Sequence, residues 1–244
     1  MNVRLDKLLS SQGLGTRRDI KRLLRERVFT VNGLVVKDPS FLVDPDRDVL
    51  MLDSVPFSVR LLVYLMLNKP AGVITSTDDP FHRTVMDLLT PPWSGMNLFP
   101  VGRLDIDTEG LLILTNDGPL THRLTSPKTG VDKTYYTELV QPVSDDMLQT
   151  YAERFTAGLV LSNGTRCLPA SIKRAENSSS VDTAVIITIQ EGKYHQVKKM
   201  CRSLGNEVRY LKRVSMGRLE LDPDLLPGSW RELTADEIAV LRET

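Results

Sequence analysis

The chain has 244 residues, 41% hydrophobic and 25% charged, enough to bury the core of one large domain or two smaller ones. No apolar run approaches the ~20 residues that span a bilayer, and MNVRLDKLL carries charges where a secretion signal needs an apolar stretch; the sequence reads as cytoplasmic, without a membrane partner. Net charge is zero, yet residues 1–30 hold eight Lys/Arg against three Asp/Glu, residues 191–218 eight against two, and residues 219–244 two against seven, so a polyanion has two separate places to touch.

In chain order, VRLDKLLSSQGLG places Leu5, Leu8 and Leu9 on one helical face, and Gly13 or Gly15 ends the turn. Thr16 reads as an N-cap with Asp19 in the place of a capping-box acid. In the helix that follows, Arg17, Arg18, Lys21, Arg22 and Arg25 fall within an arc of about 140°. Ile20, Leu23 and Leu24 fall on the other side. VFTVNGLVVKD alternates around Asn32-Gly33, a strong hairpin signal, and DVLMLDSVPF supplies a further strand. Two short helices and a small sheet bearing this cationic stripe suit a phosphate backbone. Nothing here has the length or dimer signal of a major-groove reader, which favours structured RNA.

A linker is expected over 54–62. VYLMLNKPAGVITS then reads as a buried strand, a Lys69-Pro70 turn with Gly72, and a second strand; RTVMDLL is a short helix and TPPWSGMNLFPVG irregular. LLILTNDG reads as a strand ending in an Asn-Asp-Gly turn. Later strands are expected at 133–140, 184–190 and 207–213, and helices at 145–157, 196–204 and 236–242, the last after a Thr234 cap. Residues 175–182 read as a polar loop tip. Elements are mixed without a regular βαβ rhythm, which excludes a doubly wound sheet.

The stretch VGRLDIDTEGLLILTNDG sets Asp105, Asp107 and Glu109 two residues apart. DIDTEG fits the first six positions of a calcium loop, but position twelve is Asn116 where a bidentate glutamate is needed, and the flanking segments cannot form the two helices. A glycosidase-type carboxylate pair is geometrically open, yet Phe, Trp and Tyr make up only 6% of the chain, poor material for a sugar cleft. Phosphate loops, zinc-ligand spacings and nucleophile elbows are not seen in the sequence. Cys167 and Cys201 read as buried or idle thiols, and the three histidines are unclustered. Neither metal nor cofactor is expected.

GRLDIDTEGLLILTNDG, KTYYTEL at 133–139 and ITIQEGKYHQVKKM at 187–200 together resemble the pseudouridine synthases that modify ribosomal RNA. RLDKLLSSQGLGTRRDIKRLL with VFTVNGLVV resembles the S4 RNA-binding domain. The motifs run in order over essentially the whole chain. The resemblance implies an α+β protein with an S4-like RNA-binding domain over 1–60 and a catalytic domain over 61–244 built on a mixed, mostly antiparallel sheet. It implies isomerisation of uridine in place, with Asp105 acting either as nucleophile on the sugar or as base toward its 2′ proton. Tyr135 would stack on the target base. Lys198 would pair with Asp105, at a position where many relatives have arginine, whose fork lysine lacks. Arg103 would hold the flipped nucleotide or fill its gap. RNA contacts are expected at Arg17, Arg18, Lys21, Arg22 and Arg25, and at Arg103, His195 and Lys199. Asp107 and Glu109 read as loop hydrogen-bonders. The group most resembled joins an S4 domain to this catalytic domain and acts on small-subunit 16S RNA, which points to the uridine at position 516. The alternatives are a large-subunit uridine and a non-catalytic RNA-binding or ribosome-assembly protein. No apolar dimer stripe is evident, so a monomer is expected.

Overall fold

The computed structural model describes residues 2–176 and 182–244. Residues 177–181, most of the stretch read as a polar loop tip, lie outside the described residues, as does Met1. The chain divides into two compact units, Met1–Val63 with Leu89–Leu98, and Tyr64–Leu88 with Phe99–Thr244.

In the first unit, helices α1 (Leu5–Ser11) and α2 (Arg17–Glu26) pack on strands β1 (Val3–Arg4), β2 (Phe29–Val31), β3 (Leu34–Val35), β4 (Leu42–Val43), β5 (Leu50–Leu52) and β6 (Val55–Pro56). The Thr16 hydroxyl accepts from Asp19 N at 3.3 Å, while the Asp19 carboxylate accepts from Thr16 N at 3.0 Å. This reciprocal cap starts α2 where the sequence places it. Leu5, Leu9, Ile20, Leu24 and Phe29 are wholly buried in one core, leaving the five cations of α2 exposed. Asn32 and Gly33 both have positive φ (50° and 81°), the backbone of a two-residue hairpin. Residues 50–56, expected as one strand, fold instead as a second hairpin, β5–β6. Its turn residues Asp53 and Ser54 also have positive φ, and the Asp53 carboxylate takes Arg27 Nε and Val28 N. Leu89–Leu98, which the sequence reading assigned to the second domain, joins this unit. Trp93, Met96 and Leu98 are buried apolar residues, and the Arg60 guanidinium lies 4.6 Å from the Trp93 ring centroid.

The second unit is built on strands β7 (Tyr64–Lys69), β8 (Phe99–Pro100), β9 (Glu109–Thr115), β10 (Lys133–Leu139), β11 (Ser171–Arg174), β12 (Ala184–Ile189), β13 (Val208–Met216), β14 (Leu219–Glu220) and β15 (Trp230–Glu232). Their order is β11-β12-β10-β13-β9-β7-β15, with β8 on β9 and β14 on β13. The β9–β13 pair is parallel and the other described pairs of this sheet are antiparallel, so the sheet is mixed and mostly antiparallel, as expected. Helices α3 (Gly118–Thr125), α4 (Asp145–Ala157), α5 (Gln196–Ser203) and α6 (Ala235–Glu243) complete the unit. Met66, Leu111, Ile113, Leu120, Leu124 and Leu241 are buried together, drawing α3 and α6 onto β7 and β9.

Two local expectations are corrected. After Gly72 an isolated bridge, Ile74 to Thr84, replaces the second strand: Ile74 N donates to Arg83 O and Val85 N to Ile74 O, each at 3.0 Å, while Gly72 N and the Thr75 hydroxyl turn to the loop at 104–106. Asn116-Asp117-Gly118 is no turn but a helix start: Asp117 Oδ1 accepts from Leu120 N at 3.0 Å and Pro119 occupies the first turn of α3, where its missing N–H is harmless.

Gly110 lies where β9 meets β13. Its φ is +100°, and a Cβ there would sit 2.2 Å from the carbonyl oxygen of Arg213. Gly110→Ala is expected to cost about 2–4 kcal/mol, whereas Gly118→Ala, with open space at the Cβ, should stay within about 0.5 kcal/mol; urea denaturation of the two variants measures the difference.

Candidate active site

The loop preceding β9 is pinned from beneath and from one side. Thr108 N donates to Asp105 O at 3.1 Å, closing a turn, and Gly72 N donates to Ile106 O at 2.8 Å. The Thr75 hydroxyl donates to Leu104 O at 2.8 Å and accepts from Leu104 N at 3.1 Å. The Lys69 side chain, wholly buried, ends under this turn, donating to Pro70 O at 3.0 Å, Ile106 O at 3.3 Å and Thr108 O at 2.9 Å. Burial pushes its ammonium down to about 8 against the pull of Asp107, Glu109 and Asp105.

Helix α5 brings the opposing cations. Its entry is fixed by buried Glu191, which accepts from Gln196 Nε2 at 2.7 Å, Leu168 N at 3.0 Å and the Lys193 ammonium. His195 precedes the helix with φ +53°. Val197, Met200 and Cys201 are buried, which turns Lys198 toward the loop. Lys198 Nζ lies 3.4 Å from Asp105 Oδ2 and 2.5 Å from Asp107 Oδ1, and His195 Nε2 lies 3.6 Å from Asp105 Oδ1. The sequence reading paired Lys198 with Asp105 alone and left Asp107 as a loop hydrogen-bonder; Asp107 in fact takes the shorter contact. Burial raises the Asp107 carboxyl, but its hydrogen bond to Lys198 and that ammonium's charge outweigh burial and hold it below its ordinary value. The third carboxylate, Glu109, accepts from the Tyr210 hydroxyl at 2.7 Å; burial, then this bond, raises the Tyr210 phenol.

Tyr135, 7% exposed, stands on β10 opposite Ile187 and Arg213, beside a register shift after Thr134. It closes one wall of a pocket also lined by Arg103, Asp105, His195 and Lys198. Five of the residues expected in the site thus converge. Lys199 stands outside this pocket, its Nζ 4.8 Å from the Tyr194 ring centroid. Arg17, Arg18, Lys21, Arg22 and Arg25 belong to α2 of the first unit, where Arg22 meets Asp19 at 3.3 Å. Lys69 and Tyr194 were missed as site residues. The signal for Lys69 was a lysine inside an otherwise buried strand; that for Tyr194 was an aromatic in the second basic block. A carboxylate facing a lysine ammonium and an imidazole beside an aromatic wall can attack or deprotonate a sugar whose base the aromatic holds. Among the described residues, no three His, Cys, Asp or Glu side chains gather as a metal site requires, and Cys167 and Cys201 are buried and free. Nor, among those residues, is any helix long and apolar enough to cross a membrane.

Residues 63–203 match the family RNA pseudouridylate synthase, and residues 3–49 match the S4 domain. A Bacillus subtilis RNA pseudouridine synthase, YtzG, is 45% identical over 99% of both chains. The Escherichia coli ribosomal small subunit pseudouridine synthase A is 42% identical over 97% of this chain and 99% of its own. A crystal structure of a pseudouridylate synthase, 35% identical, superposes with a TM-score of 0.67 over 98% of this chain and 99% of that one.

The buried lysine gives stability a distinctive pH dependence. Lys69 titrates near 8 when folded and near 10.5 when unfolded, so between these values the unfolded chain binds more protons and stability rises with pH. Removing this group by Lys69→Met is expected to flatten that rise by about 1–3 kcal/mol; urea unfolding of both proteins at pH 7.5 and pH 10 reads the difference.

Proposed function

The chain belongs to the RNA pseudouridylate synthase family, and we propose that its substrate is small-subunit 16S ribosomal RNA, with the position-516 uridine as target. The reading of the substrate is supported by the likeness to the small-subunit enzymes over nearly the whole chain. The reading of the chemistry is carried by one observation, Asp105 facing Lys198 at 3.4 Å in the pocket that Tyr135 walls.

In this reading α2 anchors the RNA through Arg17, Arg18, Lys21, Arg22 and Arg25, while Arg103, His195 and Lys199 hold the backbone and the flipped nucleotide near the pocket. Tyr135 stacks on the target uracil. Asp105 then either bonds to C1′ as uracil leaves, or takes the 2′ proton; in both routes the C1′–N1 bond breaks, the uracil turns within the pocket, and a C1′–C5 bond forms. In the first route the Asp105–C1′ bond breaks as C5 attacks C1′, and in the second the 2′ proton returns to C2′; the hydrogen on C5 leaves as a proton and N1 takes one up from solvent, so substrate and product are isomers and no co-reactant is needed. Lys198 supplies charge to whichever oxygen of Asp105 is not reacting, and Asp107 keeps that ammonium in place when the substrate arrives.

Tritium release from C5-labelled uridine in small-subunit RNA tests the reading. Wild type should release label, and Asp105→Asn should lose at least about a thousandfold in rate while its RNA affinity stays within about threefold. Equal release by both proteins would overturn the role of Asp105, and release from large-subunit RNA alone would overturn the substrate. Replacing Arg17, Lys21 and Arg25 together by alanine should weaken RNA binding and lower the slope of log affinity against log salt by about 0.7 for each phosphate that is no longer neutralised, as filter binding between 50 and 300 mM salt would show.

A further inference from the structure

Two depressions lie back to back across Asp105. They share Arg103, Leu104, Asp105, Gly192 and Lys193. Tyr135 lines the first; Tyr194 lines the second, whose far wall is Ile74–Ser76. The function described above uses the first and leaves the second unassigned. Tyr194 is 72% exposed, yet it is held in place. Its ring stacks on that of His195 at 3.8 Å between centroids and 21° between planes. The backbone beneath it is set by the left-handed His195 and by the bond from Lys193 N to Gln196 Oε1 at 2.8 Å. The far wall is tied to the Asp105 loop through the paired hydrogen bonds of Thr75 with Leu104.

We propose that this second depression is a nucleotide subsite, in which the base adjoining the target uridine stacks on Tyr194; the inference rests on the uridine-isomerase reading. An exposed, fixed aromatic with a cation at hand is what an unstacked base selects, because every base has a face to offer. Lys199 Nζ lies over the ring, 4.8 Å from its centroid, while His195 holds the other face; the base takes the Lys199 face as this flexible side chain swings out to the phosphate of that nucleotide. The geometry also links the two subsites. His195 stacks on Tyr194 and approaches Asp105 at 3.6 Å, so a base seated on Tyr194 steadies the imidazole that faces the reacting carboxylate. One RNA strand, bent at the flipped uridine, thereby engages both tyrosines, and the identity of the neighbour enters the choice of target.

The test combines protein and RNA changes. Tritium release is measured for wild type, Tyr194→Phe and Tyr194→Ala on small-subunit RNA that is intact or carries an abasic nucleotide at the 5′ or the 3′ neighbour of the labelled uridine. On intact RNA, Tyr194→Ala should lose about tenfold in kcat/KM, mostly through KM, and Tyr194→Phe should retain wild-type values within about twofold, since the ring and not the hydroxyl does the stacking. One of the two abasic RNAs should cost wild type about tenfold and Tyr194→Ala almost nothing further. Abasic penalties that are the same in wild type and Tyr194→Ala would overturn the subsite, as would failure of Tyr194→Phe alongside Tyr194→Ala. Absence of release by wild type from any ribosomal RNA would overturn the isomerase reading, and the subsite with it.

Discussion

Three carboxylates at alternating positions, Asp105, Asp107 and Glu109, would repel one another in a loop left to itself, and the site depends on how that repulsion is relieved. A buried ammonium beneath the turn, Lys69, is held by three backbone carbonyls and supplies positive charge where water is excluded and Coulomb forces are strong. Lys198 supplies more from above, shared between Asp105 and Asp107. Glu109 is removed from the contest by the Tyr210 hydroxyl. Each carboxylate therefore has a partner, Lys198 serving two of them, and of the three it is Asp105 that lines the pocket. An acid cluster that looks like a cation site in one dimension is divided by the fold into one carboxylate that lines the pocket and two engaged by Lys198 and Tyr210.

That division explains why the basic residue of α5 can be a lysine. A guanidinium would grip one carboxylate with two parallel bonds. A lysine ammonium, a point charge with three donors, can instead serve two carboxylates at once. The shorter contact to Asp107 keeps a long, flexible side chain within 3.4 Å of Asp105.

Much of this was legible before the structure. The helix caps at Thr16 and Thr234, the Asn32-Gly33 turn, and the strands beginning at Lys133 and Ala184 are written in local chemistry that tertiary packing reinforces. The convergence of Asp105, Tyr135 and Lys198 was available only through likeness to a family, since nothing local says that residues so far apart in the chain will meet. What stayed hidden did so for physical reasons. Asn116-Asp117-Gly118 carries the residues of both a turn and a helix cap, and the apolar positions Leu120 and Leu124, which decide between them, gain their meaning only against β7 and β9. Lys69 looks like an ordinary turn lysine because its acceptors are carbonyls, which any sequence has. Tyr194 went unread because its 72% exposure cannot be read from a residue type.

The parallel pairing of β9 with β13 bears on when the site comes into being. Arg213 reaches the carbonyl of Leu111 across 102 positions, and α5, with Lys198, lies just before β13. Strands β7 and β9 and the loop with its three acids are synthesised long before Lys198 and Tyr210, so until then Lys69 is the only one of the three partners present. During translation the nascent segment is a patch of negative charge, repelled by the RNA-rich surface of the ribosome that is making it. Only when the last third of the chain has emerged and the long-range pair has closed does that patch become a neutralised pocket. Assembly of the site is thus timed by topology, waiting until α5 and β13 have been made.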